Sequence, residues 1–267
     1  MSPDEAIVTV IAVVFGPLWW AVWLFQMSRV QAAGGRRRHN LATIAIALAA
    51  STAAILYILN TAASFDVVDA PMYQFMYVVL GLAWMSVCCT TFAFAGVSPR
   101  DDAIERGNQG AASAIAGALL AVAFCYAGGN VGDGPGWWVV VFAAGLATAT
   151  LMIAWIAIAR FSPVTDAVTI DRDPAAGVRL GAILASCGLL LGRGVAGDWF
   201  SAAETVSDFL TALPPVAALA ILSIAVERIA KPTPDRPRAP IVAFGVLPSI
   251  LYLAVAIGAL SFIRWPE

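Results

Sequence analysis

Eight long apolar runs alternate with short polar connections along the chain, at roughly 6–31, 41–64, 72–98, 109–129, 137–161, 175–197, 205–228 and 240–263. About 20 apolar residues in a helix rising ~1.5 Å each are enough to cross a ~30 Å hydrocarbon core. The pattern predicts an all-α membrane protein with eight transmembrane helices. Short connections, such as Gly34-Gly35-Arg36-Arg37-Arg38-His39, join neighbours into four pseudo-repeated helical hairpins at approximately 6–64, 72–129, 137–197 and 205–263, within a single membrane domain, 1–267. The seventh span opens with Glu204 and Asp208, and Pro214-Pro215 is predicted to kink it. Pro17 and Pro248 predict milder bends in the first and last spans, tolerable where neighbouring helices re-satisfy the freed carbonyls.

Composition agrees with lipid as the solvent. Hydrophobic residues make up 61% of the 267 positions, charged residues 12%, and mean hydropathy is +0.85; an ordinary soluble domain is about a quarter charged. A net charge of −2 excludes a nucleic-acid partner, which needs a dense basic field. Cys88, Cys89, Cys125 and Cys187 all fall inside apolar runs and read as small helix residues, not as a disulfide framework. The single histidine, His39, sits in a basic loop, so no His/Cys metal cluster is expected. The acidic start, Asp4 and Glu5, before a run long enough to span a bilayer is unlike a cleavable signal peptide.

Charge sets the expected direction. Connections after the odd-numbered spans, with their flanking helix ends, carry 13 of the 15 basic residues: Arg29, Arg36, Arg37, Arg38, Arg100, Arg106, Arg160, Arg172, Arg179, Arg228, Lys231, Arg236 and Arg238. The other side keeps Arg193 and Arg264 and is acidic, with Asp66, Asp69, Asp133, Asp198 and Glu204. By the positive-inside rule both termini lie outside.

The chain is also self-similar. At an offset of 64, Ala111, Ala112, Gly117, Ala118, Leu120, Ala121, Gly128 and Val131 meet Ala175, Ala176, Gly181, Ala182, Leu184, Ala185, Gly192 and Val195. Weaker matches place Ala45, Ala49 and Ala53 of the second span, and Gly245 of the eighth, on the same helix. The unit is a bulky first helix, a charged turn, then a second helix rich in small residues. In the sixth span Gly177, Gly181, Ala185, Gly188, Gly192 and Ala196 form one stripe containing two GxxxG segments, which let helix backbones approach closely. Close packing within the molecule is the favoured reading; an oligomer formed through the same faces is the alternative.

The second hairpin reads Asp101-Asp102-Ala103-Ile104-Glu105-Arg106-Gly107-Asn108-Gln109-Gly110-Ala111-Ala112, then Ser113-Ala114-Ile115-Ala116-Gly117. This resembles the repeat signature of the YjfL-like family of bacterial inner-membrane proteins: an acidic stretch, an Asn, and an Ala-rich helix start followed by Gly. Asp171-Arg172-Asp173-Pro174-Ala175-Ala176-Gly177-Val178-Arg179-Leu180-Gly181 is similar to a degenerate second copy, with Arg172 where the Asn would stand. The first hairpin keeps Asn40, and the last little beyond Gly245, so the resemblance covers residues 100–198. It implies tandem two-helix repeats in the bacterial inner membrane, often encoded near phage-shock-type membrane-remodelling proteins and glutathionylspermidine-synthase-like ligases. It implies no established activity.

Catalytic signatures are absent: no GxxxxGK[ST], HExxH or GxSxG occurs, and connections of about ten residues hold no soluble catalytic domain. No enzyme activity and no cofactor are expected. The only lysine, Lys231, lies in a proline-rich loop, which excludes a retinal protein. Ionisable residues inside spans look scarce. Arg193, about one turn short of the outer boundary, is read as snorkelling outward or pairing with Asp198 in preference to meeting a solute, and Arg179 as snorkelling inward. Asn108 is read first as a helix cap, and the turn carrying Asp101, Asp102, Glu105, Arg106 and Asn108 as a candidate partner-docking patch. Gly117, Gly177, Gly181, Gly188 and Gly192 are the candidate packing positions. Two functions remain: a non-catalytic scaffold or accessory subunit that docks a cytoplasmic or membrane protein, which is preferred, and a channel or transporter for a small, largely uncharged solute.

Overall fold

The computed structural model describes residues 1–31, 36–231 and 240–263. The basic residues Arg236, Arg238 and Arg264, and the Pro232–Pro237 turn, lie outside this set. Among the described residues, eight helices are long and apolar enough to cross a membrane: α1 Pro3–Arg29, α2 Arg37–Thr61, α3 Pro71–Ala95, α4 Gln109–Gly128, α5 Trp137–Phe161, α6 Pro174–Gly194, α7 Ala202–Ala230 and α8 Val242–Phe262. The flanking helices expose large apolar side chains, among them Ile46, Tyr57, Ile153, Ile221 and Leu247. Only lipid covers so much apolar surface without a cost in water. This is an all-α, multi-pass membrane protein.

Helix starts follow local chemistry. Ser2 opens α1 with a reciprocal capping box: Glu5 N–H donates to Ser2 Oγ at 3.4 Å and Ser2 N–H to Glu5 Oε2 at 2.6 Å. Ser201 caps α7, accepting Glu204 N–H at 3.2 Å. The expected break in α7 falls just ahead of the proline pair. A 3-10 turn at Leu210–Ala212 interrupts the helix, and Pro214 and Pro215 fall in the first turn of the new segment, where no N–H is needed. In α1 the bend is a π turn, Val14–Leu18, with Gly16 at φ −98°, ψ −106° just before Pro17. A second π turn, Val242–Val246, opens α8 ahead of Pro248.

The small-residue helices form one row in the order α2, α4, α6, α8, and the bulkier α1, α3, α5 and α7 form a second row against it. Between α3 and α5 the Trp84 indole N–H donates to Thr148 Oγ1 at 3.1 Å, and the Phe92 and Trp155 rings lie 5.3 Å apart. The centre of the first row is the parallel pair α4 and α6, the two most buried spans, at 78% and 83%. Contacts run in the same order along both helices: Gly110 with Gly177, Gly117 with Gly181, Ala121 with Gly188, and Gly128 with Gly192. A Cβ on Gly117 would land on the Gly181 backbone, and one on Gly188 would sit 2.5 Å from Ala121 Cα. Only glycine permits this approach. The seam between the two helices is therefore closed by backbone.

Candidate functional site

The two ends of the bundle differ. One carries Met1 and the acidic connections at 62–70, 129–136 and 195–201; the other carries the basic connections, including the turn from 96 to 108. That turn is a π-helical segment, Pro99–Glu105, begun by Ser98, whose Oγ accepts Asp101 N–H at 3.0 Å. Its polar residues divide into two sets. Asp102 is buried at 6% exposure: Oδ2 accepts Ser98 N–H at 2.8 Å and Oδ1 accepts Arg106 Nη1 at 2.9 Å. Asn108 is buried at 2%: Oδ1 caps α4 by accepting Ala111 N–H at 3.2 Å, and Nδ2 donates to Val168 O at 2.6 Å. These two residues are removed from the expected exposed patch, because their side chains are turned inward onto Ser98, Arg106, Ala111 and Val168. Arg100, Asp101, Glu105 and Arg106 form the surface that remains. Arg100 Nε donates to Glu105 Oε1 at 2.7 Å, and this hydrogen bond, with the carboxylate's charge, raises the guanidinium pKa further.

The turn is held by its neighbours in a repeated way. Asn40, at the start of α2, donates Nδ2 to Ala103 O of this turn at 2.8 Å, as Asn108 donates to Val168 O of the next. At the start of α6 the capping side chain is Asp173, which accepts Ala175 N–H at 3.1 Å and Ala176 N–H at 3.2 Å. The counterpart of Asn108 is thus Asp173 and not Arg172, a shift of one residue. Arg172 instead occupies a left-handed conformation, φ 54°.

Arg179 does not snorkel. It is fully buried and grips Glu227 of α7 with two bonds of 2.6 Å, Nε to Oε1 and Nη2 to Oε2, while Nη1 donates to Phe244 O in the π turn of α8. Pro248 has no N–H to offer the carbonyl four residues earlier, which is Phe244, so the arginine satisfies it. One guanidinium fork ties α6, α7 and α8 together. Glu227 received no role from the sequence. Its signal was an acidic residue a turn inside a span end, beside Arg228, whose visible charge assigned the segment to the loop flank. Arg193 is half-buried in the last turn of α6, and the nearby Asp198 accepts Asp133 N–H through Oδ1 at 2.7 Å. The four cysteines are buried free thiols.

No known protein family, curated protein or solved structure matches this chain. Among the described residues, no group of three or more His, Cys, Asp or Glu is arranged to hold a metal ion.

Proposed function

We propose that the protein is a non-catalytic component of the bacterial inner membrane, with both termini outside, whose basic end docks a protein partner on the cytoplasmic face. The observation that carries this reading is the charged rim of Arg100, Asp101, Glu105 and Arg106, mounted on a turn clamped by Asn40 from one hairpin and tied by Asn108 to the next. A rim ordered before binding loses little entropy on docking, and alternating charge sets orientation more than bulk affinity. The resemblance of residues 100–198 to the YjfL-like family supports the inner-membrane placement.

Transport of a small, largely uncharged solute is the second reading. The buried Arg179–Glu227 pair and the π turns in α1 and α8 favour it, since intramembrane charge and interrupted helices recur in transporters. Against it, glycine backbone fills the seam between the central helices, where parallel repeats would otherwise leave a path. Photo-crosslinking from positions 101 and 105 in native membranes separates the two. A cytoplasmic adduct lost in an Arg100→Glu, Arg106→Glu variant of unchanged melting temperature is expected, with no solute flux in proteoliposomes. Flux that persists in that variant, with no adduct from either position, would sink the docking reading.

A further inference from the structure

At the acidic end, a cleft of ≈ 310 Å³ opens between the start of α1, the connection 62–70, the N-terminal half of α3 and the glycine-rich connection 129–136. That volume is at the lower bound of small-ligand pockets. Its lining includes Glu5, Asp66, Asp133, Tyr73, Tyr77 and Asn130, with no Lys, Arg or His among the described residues. Three carboxylates therefore arrive from three separate segments and focus negative potential into one concavity.

The hydrogen bonds already made show what is left over. Glu5 is engaged, accepting Ser2 N–H at 2.6 Å and the Tyr73 hydroxyl at 3.3 Å, with the chain's terminal ammonium 4.0 Å away. Asp66 accepts Ser64 Oγ through Oδ1 alone, at 2.5 Å. The Asp133 carboxylate accepts no hydrogen bond among the described residues; only its backbone is engaged, through Asp198 and Trp199. Asn130 is 6% exposed, and its Nδ2 donates to Tyr126 O at 2.8 Å, yet its buried Oδ1 accepts nothing. An unmet buried acceptor costs free energy until a donor arrives. What the cleft lacks is donors and positive charge.

Geometry narrows the class of ligand. A metal ion needs carboxylates that converge, and these do not group. Carboxylates that do not group, in a cleft that Tyr73 and Tyr77 also line, fit a cation that is extended and partly apolar, each ammonium offering three donors and a favourable approach to aromatic faces. The walls are fixed in advance: Gly132 N–H donates to Ala62 O at 3.2 Å, and Ala63 bridges Gly132, so the two loops bearing Asp66 and Asp133 are held together. We propose that this cleft binds a small aliphatic amine cation, two ammonium groups on a short methylene chain, with Asp66 and Asp133 taking the charges and Asn130 Oδ1 one N–H.

The full chain in phosphatidylcholine nanodiscs, titrated calorimetrically with 1,4-diaminobutane, tests this. Saturable binding is expected, with none for 1,4-butanediol, the neutral analogue of similar length. Asp66→Asn and Asp133→Asn, both at exposed positions, should each weaken binding by roughly tenfold, the worth of one charge-assisted hydrogen bond. Asn130→Ala should weaken it too, and the two aspartate variants keep the test decisive should that buried change disturb folding. No saturable heat, equal binding of the diol, tighter binding of Ca²⁺ than of the diamine, or diamine affinity untouched by both aspartate variants would each overturn the proposal.

Discussion

Arg179 and Glu227 meet inside the bundle at 0% and 1% exposure, where taking two charges out of water is offset only by good mutual geometry. Removing one partner strands the other, so Arg179→Met and Glu227→Gln should each lower stability by about 3–5 kcal/mol. Arg179→Lys should not rescue it, because a single ammonium cannot bridge both carboxylate oxygens and Phe244 O. The paired change Arg179→Met with Glu227→Leu should recover most of the loss. Melting in detergent with helical circular dichroism measures all four, and a double variant no better than the singles would refute the account. The glycines make a sharper contrast at the same scale. Gly117→Ala and Gly128→Ala place a methyl on opposing backbone and should cost ~1–3 kcal/mol. Gly181→Leu and Gly188→Leu should cost more. Gly258, with nothing within 4 Å of an added Cβ, should accept alanine with a gain of up to ~1 kcal/mol in helix propensity.

Helix starts show how local signals and long-range contacts share one residue. Asn108 caps α4, a role its side-chain type announces, but its amide also reaches Val168, 60 residues away. Asn108→Ala should therefore cost about 2 kcal/mol or more, a cap plus a buried carbonyl left unmet. Asn108→Asp keeps the cap, loses the donor, and should lie between alanine and wild type. Equal losses for both variants would mean that the cap contributes little. The spans and short connections were legible because apolar length is a one-dimensional property. Proline behaviour was less so: Pro214-Pro215 and Pro248 look alike in sequence, yet the first pair restarts α7 after a 3-10 turn, while the second leaves a carbonyl that Arg179 fills. Which carbonyl is freed follows from proline's chemistry. What satisfies it depends on a helix elsewhere in the chain.

For the molecule as a whole, direction across the membrane is the first matter for experiment. With the four native cysteines replaced, single cysteines at Asp69 and Asp133 should react with an impermeant maleimide in intact cells, and one at Arg37 only after the membrane is opened. Labelling of Arg37 in intact cells would reverse the orientation and place the docking rim outside. The sequence by itself determined the helix count, the separation of an acidic end from a basic one, and the likeness of α4 to α6, because hydropathy, charge and repeat spacing need no knowledge of neighbours. Tertiary structure alone decided that α4 and α6 meet backbone to backbone, that Asp102 and Asn108 face inward, and that Arg179 finds Glu227. Each of these is a matter of burial. A charged side chain one turn inside a span end can turn to water or to a partner, and the choice belongs to whichever helix packs beside it.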